Sequence, residues 1–277
     1  MPVFMFEGLS VHYDVSGEGP AVLFMHGLAA ERGQAQQTLA SEKNIQLITL
    51  DMPGHGDTHA NAGGLSNDLI GFETYSRIAR SLLSHRNIDR AILGGISMGS
   101  GIALHMALAQ PKRALGLFLV RPAWLAEPAR PHLNVIAQLG QLLAETTPGK
   151  AAEALAADAD FQELFSGIPS AADSVLNAVK HRQITRNPNV LSALVDDQPF
   201  GRLEDLAGIN CPALVLGNNA DPLHPPRIAR VIAGSLPKGS YAHLPPRYLE
   251  TEAHGSALLT HFHSFLSTHS TALAVSS

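Results

Sequence analysis

A serine stands at the centre of the five-residue segment Gly95–Gly99, whose sequence is Gly-Ile-Ser-Met-Gly. The segment follows a short apolar run typical of a buried strand and precedes a run, Ile102–Leu108, typical of a helix. A serine on so sharp a strand-to-helix turn is held in a strained backbone conformation with its hydroxyl exposed, and flanking glycines let strand and helix approach closely. The pattern predicts Ser97 as a nucleophile; the alternative is a glycine-rich structural turn.

A serine hydroxyl needs a histidine to accept its proton and a carboxylate to orient that histidine. Asp221 follows the apolar run Ala213–Leu216, and functional groups of open parallel sheets gather beyond the carboxyl ends of the strands, so Asp221 is the predicted acid. His254, just before the predicted last helix, is the predicted base. The alternatives that the sequence leaves open are Asp196 and Asp197 as acids and His243 as the base.

The negative charge that forms on a carbonyl oxygen under attack requires backbone N–H donors. Met98, directly after the serine, and Leu28, in the turn after an early buried strand, are the predicted donors of this oxyanion hole. His26, Asp51 and His55 lie in turns rich in glycine and proline, and we interpret them as groups that stabilise those turns.

The composition limits the classes of protein that the chain can represent. Of its 277 residues, 45% are hydrophobic and 16% are charged, which allows a large core. The net charge of −5 without a basic stripe argues against a nucleic-acid partner, and a single cysteine excludes an internal disulfide. No signal peptide or membrane span is evident, so the sequence predicts a cytoplasmic protein without a membrane partner.

The elements that must position these residues alternate along the chain. Residues 3–15 predict an antiparallel hairpin, and strands and helices then alternate up to Val120, which predicts an α/β fold with a mostly parallel, doubly wound sheet. No convincing strand occurs at 122–206, where seven prolines break helical segments. The sequence therefore predicts a core formed by residues 1–121 and 207–277, with residues 122–206 inserted as a helical cap.

Taken in order along the chain, these motifs resemble the α/β-hydrolase superfamily. The resemblance covers residues 3 to 267 and rests on His26-Gly27, Asp51–Gly56, Gly95–Gly99, Asp221 and His254. It implies an α/β-hydrolase fold with a helical cap, Ser97 as nucleophile, Asp221 as acid and His254 as base. The sequence departs from the common pattern at Ile96, at Ser100 and at Gly255, which follows the histidine instead of preceding it.

The favoured function is a serine hydrolase that cleaves carboxylic esters of small to medium, mostly apolar substrates through an acyl-enzyme. A carbon–carbon bond hydrolase or an enol-lactone hydrolase is the alternative, and a non-catalytic small-ligand receptor is a further one. A substrate carboxylate would need a cation such as Arg121, Arg130 or Arg182, although Arg121 could instead form an ion pair across the cap hinge. Neither a cofactor nor a metal is expected, the partner is a small-molecule substrate, and a homo-oligomer is left open.

Overall fold

A twisted sheet runs through the part of the chain that the computed structural model describes, which is residues 2–60, 65–127 and 130–269. The ends of the predicted core, residues 1 and 270–277, and residues 128–129 of the predicted cap lie outside these ranges. The strands are β1 (Val3–Phe6), β2 (Leu9–Ser16), β3 (Ala21–Met25), β4 (Gln46–Leu50), β5 (His59–Ala60), β6 (Ala91–Ile96), β7 (Ala114–Val120), β8 (Ala213–Asn218) and β9 (Gly239–Leu244).

The strand order in the sheet is β1-β2-β4-β3-β6-β7-β8-β9, with β5 paired to β2. Strands β1 and β2 form the predicted antiparallel hairpin, and β2 continues antiparallel to β4. From β4 to β9 all neighbouring strands are parallel. The predicted α/β class with a mostly parallel sheet is therefore confirmed.

Helices cover both faces of the sheet, as parallel strands joined by helical crossovers require. The helices are α1 (Arg32–Thr38), α2 (Phe72–His85), α3 (Met98–Ala109), α4 (Asn134–Glu145), α5 (Pro148–Ala156), α6 (Ala159–Leu164), α7 (Pro169–Leu176), α8 (Arg182–Arg186), α9 (Asn189–Asp196), α10 (Pro226–Ser235) and α11 (Thr251–Thr268). None of them, within the described ranges, is both long enough and apolar enough to span a bilayer.

Apolar side chains of the central strands alternate between two hydrophobic clusters, one on each face of the sheet. Leu117 and Leu119 of β7 pack with α2, α3 and α10, whereas Phe118 and Val120 pack with α1 and α11. Every residue of β7 is buried, which explains why its sequence is apolar throughout and does not alternate with polar residues.

The described residues between β7 and β8 contain α-helices α4 to α9, short 3₁₀ helices and no strand. Three hydrogen bonds converge near the end of α9, two of them within this region and the third joining it to the N-terminus of α2. Trp124 Nε1 donates to the Leu194 carbonyl (2.9 Å), Arg130 Nη1 donates to the Val195 carbonyl (2.7 Å), and Asp197 Oδ2 accepts from the Phe72 backbone N–H (2.6 Å). The division of the chain into a core and a cap at 122–206 remains a prediction.

Four adjacent parallel strands, β3, β6, β7 and β8, end at the same edge of the sheet. The residues that follow them are Gly27–Ala30, Ser97, Arg121 and the loop that contains Asp221. The sheet topology thus gathers segments far apart in sequence at one place, the usual location of a ligand site in such folds.

Candidate active site

Ser97 lies on a strained turn between β6 and α3. Its φ angle is +55°, a value that residues with a side chain rarely adopt, and its backbone N–H donates to the Val120 carbonyl at 2.9 Å. A Cβ added to Gly95 would lie 2.6 Å from the Gly99 carbonyl carbon, and one added to Gly99 would collide with the Met25 carbonyl oxygen. The two glycines thus permit the close strand–helix approach that the sequence predicts.

The imidazole that contacts Ser97 belongs to His224. Its Nε2 lies 2.9 Å from Ser97 Oγ, and its Nδ1 lies 2.8 Å from Asp221 Oδ1. Asp221 and His224 occupy one short loop between β8 and α10, only three residues apart, and both are buried. By geometry, Ser97, His224 and Asp221 fit a Ser–His–Asp triad.

Arg121 holds the other oxygen of the Asp221 carboxylate. Its Nη1 donates to Asp221 Oδ2 at 2.8 Å, and its own backbone, with φ +49°, is fixed by an N–H bond to the Leu216 carbonyl at 2.8 Å. Burial alone would raise the pKa of Asp221, but His224 and Arg121 together hold it well below its ordinary value. The ion pair of Arg121 is therefore with the predicted acid, and it keeps that acid ionised.

Burial lowers the pKa of His224 below its ordinary value of 6.5, against the opposing effect of Asp221, and the charge of Arg121 lowers it further. The imidazole is consequently neutral at pH 7. Because its Nδ1 faces a carboxylate, the proton is on Nδ1 and Nε2 is free to accept a proton from Ser97.

We expect kcat/KM to stay level between pH 6.5 and 8 and to fall on the acid side with an apparent pKa below 6.5. The value of kcat/KM falls at acid pH because protonation of His224 removes its proton-accepting nitrogen. A lowered pKa moves that protonation to more acidic pH. Initial rates on a neutral ester from pH 4.5 to 8.5, with circular dichroism at each pH as a control for unfolding, measure this profile. An acid limb centred at pH 7 or above would contradict it.

The choice of His254 as the base is corrected by the geometry. Helix α11 begins at Thr251, so His254 lies within its first turn and not in the loop before it. The Nδ1–H of His254 donates to the Pro245 carbonyl at 2.8 Å. Burial, together with Arg121 and Arg247, lowers its pKa to about 4. Its hydrogen bond pins the turn between β9 and α11, and the contact with Ser97 belongs to His224.

The alternative residues are also placed away from the nucleophile. His243 is exposed, and its Nδ1 lies 2.8 Å from the Tyr241 hydroxyl. The Asp197 carboxylate accepts a hydrogen bond from the Phe72 N–H at the N-terminus of α2, and Asp196 is exposed at the end of α9. None of the three forms a hydrogen bond with Ser97 in the described structure.

Sequence reasoning gave His224 no role, although a local signal was present. The segment Asp221–Pro226 reads Asp-Pro-Leu-His-Pro-Pro, in which prolines stiffen the chain around an acid and a histidine three residues apart. That spacing lets the two side chains meet within one turn, as the 2.8 Å contact shows.

The turn after β3, which contains Leu28, lines the same cavity as Ser97. The neighbouring N–H groups are occupied, since that of Gly27 donates to Gln34 Oε1 (2.8 Å) and that of Ala29 to His55 Nε2 (3.2 Å). The N–H of Leu28 has no protein acceptor among the described residues. Met98 opens α3, where the first N–H groups of a helix lack an intrahelical acceptor. Both groups are therefore available for an oxyanion.

His26, Asp51 and His55 hold this turn in place. His26 Nδ1 donates to the Gly27 carbonyl (2.8 Å) while its Nε2 accepts from the Met52 N–H (3.1 Å). Asp51 accepts from the backbone N–H of Arg32 at 2.7 Å. Burial lowers the pKa of both histidines, so each stays neutral and serves as a fixed hydrogen-bonding group.

A cavity open to solvent lies over Ser97 and His224. Its far wall belongs to the inserted helical region and is apolar. The wall residues are Trp124, Leu133, Ile136, Leu139, Val175 and Leu191. Two guanidinium groups, those of Arg121 and Arg247, line the side near the loops. The site thus combines an apolar chamber with a few polar groups, as small-molecule sites usually do.

Comparisons with known proteins agree with this arrangement. A family model for the alpha/beta hydrolase fold matches residues 20–248. A pimeloyl-[acyl-carrier protein] methyl ester esterase of Vibrio atlanticus is 27% identical over 93% of this chain and 96% of its own length. One from Xanthomonas campestris pv. campestris is 30% identical over 78% and 82%, respectively. Among solved structures, an enol-lactonase from Burkholderia xenovorans LB400 superposes with a TM-score of 0.73 at 21% identity, covering 96% of this chain and all of the other.

Proposed function

Because the chain belongs to the alpha/beta hydrolase fold family, we propose that it hydrolyses carboxylic esters of small to medium, mostly apolar substrates through an acyl-enzyme on Ser97. One observation carries the proposal, namely the chain of contacts from Ser97 Oγ through His224 to Asp221 at the floor of the cavity. The similarity to two methyl ester esterases that cover most of the chain supports the same reaction.

In the first half of the reaction, Ser97 Oγ attacks the ester carbonyl carbon while its proton passes to Nε2 of His224. The carbonyl oxygen becomes an oxyanion that accepts from the N–H groups of Leu28 and Met98. As the tetrahedral intermediate collapses, the carbon–oxygen bond to the alcohol breaks, and His224 returns the proton to the departing oxygen. Asp221 stabilises the transient imidazolium.

In the second half, a water molecule replaces the alcohol and attacks the acyl carbon while its proton passes to His224. The bond between the acyl carbon and Ser97 Oγ then breaks, and His224 protonates the serine. The net reaction consumes one water and releases one acid and one alcohol, with no redox change.

A substrate panel tests this function. We expect turnover of p-nitrophenyl and methyl esters with acyl chains of two to ten carbons, highest at short and medium lengths because the chamber wall is apolar and closed by the helical region. The same panel contains an enol-lactone and a vinylogous ketoacid. The Ser97→Ala variant serves as the blank for non-enzymatic hydrolysis. Turnover of the ketoacid without turnover of any ester would contradict the proposal.

A further inference from the structure

The turn after β9 places an arginine at the active-site cavity. Arg247 is half-buried and lines the cavity beside Tyr248, with its guanidinium carbon 5.6 Å from the centre of the tyrosine ring. Because His224 supplies the imidazole from the loop after β8, this turn contributes no base. It contributes a cation instead.

The charged residues that line the cavity are positive. Two guanidinium groups, Arg121 and Arg247, line it, and no carboxylate does so within the described residues. Asp221, behind the wall, pairs with Arg121 at 2.8 Å. Arg247 has no carboxylate within 4.0 Å in the part of the chain that the structure covers, and its guanidinium lies over the Tyr248 ring.

Arg121 is the second cation of the site. Arg121 is only 4% exposed, and its Nε has no hydrogen-bond acceptor in the described structure. Because that Nε is itself enclosed by protein, Arg121 adds positive charge behind the cavity wall but offers no contact to a ligand through this atom. The proximity of Arg121, followed by burial, lowers the pKa of Arg247 below its ordinary value, as expected for two cations that face one cavity.

We propose that Arg247 binds a carboxylate of the substrate, with the buried charge of Arg121 adding to the positive potential of the site, so that the preferred substrates are half-esters of short dicarboxylic acids. This inference rests on the proposed ester hydrolysis. It adds that the acid product carries two carboxylates, one released at Ser97 and one held by Arg247 throughout the reaction.

The charge balance favours a carboxylate over a phosphate. Arg121 and Arg247 contribute two positive charges, Asp221 contributes one negative charge, and His224 is neutral. The site therefore has an excess of one positive charge, which a monoanion neutralises and a phosphate monoester, with a charge of about −1.5 to −2, would exceed. A guanidinium also matches a planar carboxylate in shape.

Matched substrates test the inference directly. The monomethyl esters of succinate, glutarate and adipate are compared with their neutral monoamides, which have nearly the same size and the same methyl ester. We expect the best half-ester to show a kcat/KM about 10- to 100-fold above that of its amide, in the range that a charge-assisted hydrogen bond provides. In Arg247→Gln, the ratio should fall toward one, and Arg247→Lys should restore part of it.

Arg230→Gln is the matched control. Arg230 also lies over a tyrosine, with its guanidinium carbon 5.0 Å from the centre of the Tyr241 ring, but it is exposed and is not among the residues lining the cavity. Its loss changes the net charge of the protein equally, so the ratio of half-ester to amide should stay at the wild-type value. An equal fall in both variants would overturn the assignment to Arg247.

Competition provides a readout that does not depend on any variant folding. Glutarate should inhibit hydrolysis of a neutral p-nitrophenyl ester competitively, and inorganic phosphate at the same concentration should inhibit less. Stronger inhibition by phosphate would overturn the carboxylate assignment.

A wild-type ratio of kcat/KM for the half-ester to kcat/KM for its amide of one or below, with esters still hydrolysed, would overturn the inference while the proposed function stands. Absence of turnover on every ester would overturn the proposed function itself.

Discussion

Replacing Ser97 with alanine is expected to lower kcat for ester hydrolysis by about 10⁴- to 10⁶-fold. The change removes the oxygen that forms the acyl bond, and its one hydrogen-bonding partner among the described side chains is His224. The fold should be retained because the turn is held by backbone, through the bond from the Ser97 N–H to the Val120 carbonyl. Initial rates and thermal unfolding of both proteins measure the two effects.

A fluorophosphonate probe gives this prediction an independent control. The wild-type protein should be labelled once, on a peptide containing Ser97, with loss of activity in proportion to labelling. Ser97→Ala should not be labelled. Substantial turnover by the alanine variant, after contaminating enzyme has been excluded, would show that the nucleophile lies elsewhere.

His224→Ala is expected to have an effect of similar size, a loss of about 10⁴- to 10⁶-fold in kcat. Without the imidazole, no group accepts the proton of Ser97, and Asp221 loses one of its two hydrogen-bonded partners. The paired variant is His254→Gln, which removes the other candidate imidazole. Its kcat should stay within about tenfold of wild type, because a bond to a backbone carbonyl contributes only about 0.5–1.5 kcal/mol to stability.

Steady-state kinetics of the two histidine variants on one ester decide between the imidazoles. The double variant should behave like His224→Ala alone, since an inactive enzyme has little catalysis left to lose. A severe loss in His254→Gln with near-normal kcat in His224→Ala would return the role of base to His254.

The strained turn at Ser97 and the fold could be predicted because their signals are local. Ser97 is marked by its two glycines, whose missing Cβ atoms are needed within a few residues of the chain. The parallel sheet follows from short apolar runs, such as β7, that are buried along their whole length. Asp221 could be assigned because it follows such a run directly. Each inference depends on neighbouring residues and on general rules for parallel sheets.

The imidazole that contacts Ser97 could not be predicted with the same reasoning because its position depends on tertiary structure. The chain has 14 histidines, and the expectation that the base lies just before the last helix favoured His254. The deciding fact is where α11 begins, at Thr251, and helix boundaries are the least certain part of a sequence-based prediction. The partner of Arg121 was equally out of reach, because it lies 100 residues away and meets the arginine only when β7 and β8 pair.

Because Asp221 and His224 lie in one turn, their spacing is set by four consecutive residues. In an enzyme whose acid and base come from separate loops, a shift of either supporting element changes their alignment. A displacement of helix α11, which lies outside that turn, would leave the spacing of the pair unchanged. A change in the turn between β9 and α11 would therefore act on Arg247 and leave the proposed proton acceptor in place.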